Sequence, residues 1–145
     1  MSGWQDVPLR ANDTIQFLEE AAALSGGQKV LDEFSRTYMV PNMLHCAAGT
    51  GGWLADYNSA MVNWVENGEA PDAIVGKNPG ISNWFEAFSL LQGESVEWMD
   101  AVEAATAARD PETKSTRLLC PYPRVALYQG SGEIKDAANY TCGPR

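Results

Sequence analysis

His45 is the only histidine among the 145 residues of the chain. It stands in a glycine-rich segment, PNMLHCAAGTGG at 41–52, directly after an aromatic and β-branched stretch. A loop at a strand end can present an imidazole to a cleft, where its near-neutral titration suits a general base. A lone histidine that is merely exposed or structural is the plainer reading, and both stand at this point. Asp6 lies 45 − 6 = 39 positions earlier. A carboxylate that orients an imidazole can come from any sequence distance, so spacing alone leaves Asp6 as an exposed N-terminal acid or as such a partner. Three cysteines, Cys46, Cys120 and Cys142, add two further readings. A Cys46/His45 nucleophile pair is disfavoured because adjacent side chains point apart. A zinc set of His45, Cys46, Cys120 and Cys142 has four ligands but neither C-x-x-C nor H-x-x-x-H spacing, so no metal is assigned. No G-x-S-x-G elbow occurs: Ser131 has flanking glycines at the wrong spacing, and Ser25 lacks the upstream glycine.

Composition narrows the class. The length is one domain's worth, and 45% hydrophobic with 20% charged residues is ordinary for a globular protein. Ten basic against nineteen acidic groups give a net charge of −9, so no basic stripe exists to neutralise phosphates and nucleic acid is excluded as a partner. The apolar runs are too short to span a bilayer. The N-terminus, MSGWQDVPLR, has neither a basic n-region nor an apolar h-region. Two N-x-[ST] sequons, at Asn12 and Asn139, nevertheless give the chain a secreted character. An odd cysteine count leaves a free thiol or a partner elsewhere; three buried cytosolic thiols are the competing reading.

The elements that position these residues follow from periodicity. Ile15, Leu18 and Ala22 predict a helix over 14–24, with Asp13 as N-cap and Gly26-Gly27 as the stop. A strand is expected over 34–40, ended by Pro41. A second helix over 56–67 should turn Tyr57, Met61, Trp64 and Val65 to one side, capped by Gly68. A brief strand is expected at 73–75, then one long or Gly93-broken helix over 84–108 with Trp84, Phe88, Leu91, Trp98 and Val102 inward. The aromatics Trp84, Phe85, Phe88 and Trp98 would be core, or alternatively a partner-binding face. From Thr116 onward prolines and glycines predict loops and short strands. Helix and strand alternate, but the four or five strands of a complete α/β domain are missing.

PNMLHC at 41–46 resembles the P-G-M-x-H-C histidine motif of the tannase and feruloyl esterase family. The preceding FSRTYMV resembles that family's F-x-R-x-F/Y-M-V-P approach, and WVENGEAPDAI at 64–74 its W-V-E-x-G-x-A-P-D-x-I block. TRLLCPYP at 116–123 and DAANYTC at 136–142 are similar to its T-R-x-L-C-P-Y-P and D-A-A-N-F/Y-x-C tail. Gly3-Trp4-Gln5-Asp6 resembles the segment holding the triad acid. Asn42 departs from the family's glycine, and the turn after Asp6 is altered to Val7-Pro8-Leu9-Arg10.

The resemblance implies an α/β-hydrolase fold with triad order Ser, Asp, His, of which residues 1–145 would be an incomplete C-terminal segment. It makes Asp6 the orienting acid and His45 the base of a serine esterase that hydrolyses galloyl or hydroxycinnamoyl esters, small aromatic substrates, in a secreted enzyme. It pairs Cys120 with Cys142, and Cys46 with a cysteine beside the nucleophilic serine, outside this chain. The serine, the oxyanion loop and the lid with its calcium would all precede Met1, so the chain itself carries no cofactor and is expected to be inactive alone. The stretch 82–113 is longer than the family pattern and reads as a helical insertion in this lineage or an intron read through. The rival from another class is a non-catalytic binding or interaction module, or a truncated gene product, derived from such an esterase.

Overall fold

The computed structural model describes residues 1–91 and 98–145. The chain enters through a two-residue strand, β1 (Ser2–Gly3), which pairs in parallel with β2 (Met39–Val40). Between them runs α1 (Ala11–Ser25), followed by the single turn α2 (Gln28–Leu31). The N-cap of α1 is Arg10 rather than Asp13; Asp13 lies inside the first turn, where its carboxylate accepts from the Arg10 guanidinium at 3.0 Å. An acid there suits the positive end of the helix dipole as well as a cap would. Gly26 takes the left-handed conformation and stops the helix as the sequence predicts. Leu18 and Ala22 are buried together with Ala11.

The strand expected over 34–40 is far shorter. Only Met39 and Val40 pair, with Tyr38 bridging to Pro121, and Phe34 is exposed. The β-forming side chains of 34–37 have no partner strand among the described residues to reward extension. The second helix, α3 (Tyr57–Asn67), is capped by Asp56, whose carboxylate accepts from the Ser59 N–H at 2.9 Å. None of its residues is buried. Its apolar side instead walls an open groove of about 440 Å³ with Phe34, Tyr38, Pro71 and Ile74.

The brief strand at 73–75 extends as β3 (Ile74–Asn78) and pairs antiparallel with β4 (Ser115–Leu119). The stretch 82–113 folds into α4 (Trp84–Leu91), α5 (Trp98–Ala105) and a 3-10 turn at Pro111–Thr113. The Gly93 break and the side chains of Leu91 and Trp98 lie outside the described part. Of the expected inner face Val102 is buried, whereas Phe88 is half exposed and Ala87 takes the buried place in α4. A second antiparallel pair, β5 (Val125–Tyr128) and β6 (Tyr140–Gly143), closes the chain.

The core gathers beneath the glycine-rich loop: Val40, Met43, Ala48, Leu54, Ile81, Ala87, Val102 and Leu119 are almost wholly buried. Burying a side chain the size of Leu54 or Ile81 contributes about 1.5–3 kcal/mol each. The densest packing therefore supports the segment that carries His45.

Candidate active site

The parallel pairing of β1 with β2 brings residues 39 apart into contact. Beyond the paired residues, Trp4 N–H donates to Val40 O and Gln5 N–H to Met43 O, both at 3.1 Å. A Cβ on Gly3 would lie 2.3 Å from the Met43 carbonyl oxygen and 2.6 Å from that of Leu44. Only glycine lets the first segment approach the histidine loop this closely. The tight turn at 3–6 then delivers the Asp6 carboxylate to His45: Oδ2 lies 2.9 Å from Nδ1, and Oδ1 accepts the Leu9 N–H at 2.9 Å. Asp6 is 8% exposed, whereas the His45 side chain is 37% exposed. The acid is thus enclosed and fixed by two bonds, while the imidazole reaches the surface. With Nδ1–H donating to Asp6, the Nε2 lone pair is left free to accept a proton. Nε2 has no hydrogen-bond partner among the described residues.

The loop under His45 is built from left-handed turns. Asn42, Cys46, Ala48 and Gly49 all have positive φ; asparagine adopts this readily, so its replacement of glycine at 42 is accommodated. The loop folds on itself through Gly51 N–H to Asn42 O and Leu44 N–H to Ala48 O. Two residues that the sequence does not single out as site residues hold it from outside. Asn78, almost fully buried, donates through Nδ2 to Gly49 O and Gly51 O and accepts through Oδ1 from the Gly80 and Ile81 N–H groups. All four of its hydrogen-bonding positions are used. Trp84 donates its indole N–H to His45 O at 2.9 Å and stacks on Phe88 with ring centres 4.9 Å apart. The sequence signal for Asn78 is its place before Pro79-Gly80; for Trp84 there is none beyond its helical spacing. Phe85 is 80% exposed, so the aromatics beside the loop are neither wholly core nor wholly surface.

The cysteines separate cleanly. Cys120, at the end of β4, and Cys142, in β6, form a disulfide, the pairing the resemblance implies. That bond removes two of the four ligands the zinc reading requires. Cys46 is exposed with a free thiol. Among the described residues no three His, Cys, Asp or Glu side chains converge on a metal site. Asn12 is exposed in the first turn of α1. The Asn139 amide instead donates to Glu133 O at 2.9 Å, a bond a glycan on that nitrogen would disturb.

The sequence profile described as tannase and feruloyl esterase matches residues 1–143. The chain belongs to that family. Similar proteins include a mono(2-hydroxyethyl) terephthalate hydrolase from Piscinibacter sakaiensis, 35% identical over 97% of this chain and 18% of the relative. A probable feruloyl esterase B-2 from Aspergillus fumigatus is 30% identical over 97% of this chain and 24% of its own length. The crystal structure of an esterase from Aspergillus oryzae superposes with a TM-score of 0.62 at 25% identity, covering 97% of this chain and 26% of that one. The chain therefore spans about a fifth to a quarter of the length of the relatives it matches. These family members are carboxylic ester hydrolases by name, and the mixed helix and strand content of this chain is a part of their fold.

Proposed function

We propose that this chain supplies the acid and the base of a serine carboxylic ester hydrolase acting on galloyl or hydroxycinnamoyl esters. The reading is carried by the 2.9 Å contact between Asp6 Oδ2 and His45 Nδ1, found in a chain of the tannase and feruloyl esterase family. In this mechanism His45 Nε2 takes the proton of a serine hydroxyl as the serine oxygen attacks the ester carbonyl. The Asp6 carboxylate holds the imidazole ring in place and balances its transient positive charge. His45 then protonates the departing alkoxide, and water repeats the cycle to release the acid. The serine is assigned outside these 145 residues: no serine hydroxyl hydrogen-bonds His45 among the described residues. Secretion fits the Cys120–Cys142 disulfide, which persists in oxidising compartments.

The test grafts this chain in place of the matching quarter of the Aspergillus oryzae esterase and follows hydrolysis of methyl ferulate and methyl gallate. Activity in the graft is expected to fall about 10⁴-fold in Asp6→Asn and at least as far in His45→Ala. An active graft indifferent to His45→Ala would remove the base assignment. The 145-residue chain alone is expected to give no turnover; hydrolysis by it, lost in His45→Ala, would show that it needs no outside serine.

A further inference from the structure

We infer that Trp84 is a positioning residue for His45, acting through the backbone of the loop rather than by touching a reacting atom. The His45 carbonyl accepts two hydrogen bonds, from Ala47 N–H at 2.8 Å and from the Trp84 indole N–H at 2.9 Å. The first closes a three-residue turn centred on Cys46, whose φ is +63°. A turn of this kind, with an i to i+2 bond and a positive φ at a residue bearing a side chain, is rare and strained. Ala48, two residues on, also has a φ of +63°. Strain of this sort persists only where the surroundings over-determine it.

Among the described residues, three hold the backbone of this part of the loop from outside: Asn78 on Gly49 and Gly51, Ser82 O on the Gly49 N–H, and Trp84 on His45 itself. Of these three, only Trp84 binds the peptide unit of the residue that carries the imidazole. Its ring is held in turn by the near-parallel stack on Phe88, with an interplanar angle of 10°. The indole N–H therefore fixes the carbonyl end of His45 while Asp6 fixes the ring end, and the two together set where Nε2 points. The catalytic meaning of this clamp rests on the reading of His45 as base; its physical existence does not.

Because His45 is the only histidine, ring-nitrogen NMR of the 145-residue chain reports it without ambiguity. The Nδ1 proton facing Asp6 is expected to exchange slowly in the native chain and about tenfold faster in Trp84→Phe, which keeps the stack and loses one hydrogen bond. A chain with benzothiophene in place of the Trp84 indole keeps the shape and should show the same acceleration. Phe88→Leu keeps the N–H but removes the stack that holds the ring, so its exchange should fall between those of the native chain and Trp84→Phe. Folded Trp84 variants with an unchanged His45 signal would overturn the clamp. So would unfolding of both Trp84 variants, since the residue would then serve the fold at large. Catalysis is scored separately, in the grafted esterase, so a failed clamp and a failed base assignment give different results.

Discussion

The loop carrying His45 and the hairpin formed by β5 and β6 are both irregular, glycine-containing parts of the chain, and they are held in opposite ways. In the loop Met43, Ala47 and Ala48 are buried, backbones approach too closely for a Cβ, and Asn78 and Trp84 reach in from other elements. Among the described residues no cysteine pairs with Cys46, so within them the loop is held without a cross-link. In the hairpin neither strand has a buried residue. It is held by its ladder, by the Tyr128 and Tyr140 rings 5.4 Å apart, and by the disulfide from Cys142 to the buried Cys120. Where apolar burial is dense, packing together with hydrogen bonds from neighbouring elements can keep strained backbone in place. Where it is sparse, a cross-link substitutes by limiting the unfolded ensemble.

The contrast predicts how each region breaks. Gly3→Ala forces a methyl group against the Met43 and Leu44 carbonyls and is expected to cost about 4 kcal/mol, within the range reserved for core disruption. A urea melt would measure it, with the His45 Nδ1 signal lost and amide protection in β5 and β6 retained; a native midpoint would contradict the close approach. Cys142→Ala should cost about 3 kcal/mol on the chain-entropy estimate for a loop of this length. Here the order reverses, with β5 and β6 losing protection first and the His45 signal unmoved. If His45 shifts instead, the two regions are coupled and the contrast fails.

The smallest effect belongs to α3, which has neither burial nor a cross-link. Asp56→Ala removes its cap and should cost about 1 kcal/mol. Hydrogen bonds from Ser59, the hydroxyl first and then the backbone N–H, hold the Asp56 carboxyl below its ordinary range. A lowered folded pKa means that this stability is fully present above the unfolded value, near 3.9, and is lost as pH falls through the folded one. The native and Asp56→Ala melts should therefore converge in acid; a constant gap would place the effect elsewhere than the charge.

What could be read from the sequence divides along the same physical line. Helices α1 and α3 follow from local periodicity, and the irregular loop from its glycines. The motif blocks identify the family and, through it, Asp6, His45 and the Cys120–Cys142 pair. The pairing of Ser2–Gly3 with Met39–Val40 has no local signature, because two residues carry no period. The clamp from Trp84 is equally silent, since an indole N–H reaching a distant carbonyl leaves no spacing rule. Phe34 misleads for a related reason: β-forming side chains extend a strand only where a neighbour strand waits for them.

The Cys120–Cys142 bond also changes how the chain would age outside a cell. It brackets the exposed turn at 129–136, the kind of tip that proteases nick first. A cut there would not release the tail. The two pieces would travel together, heavier by one water, and part only under a reducing agent, so a scar in this turn stays hidden from any assay run without one.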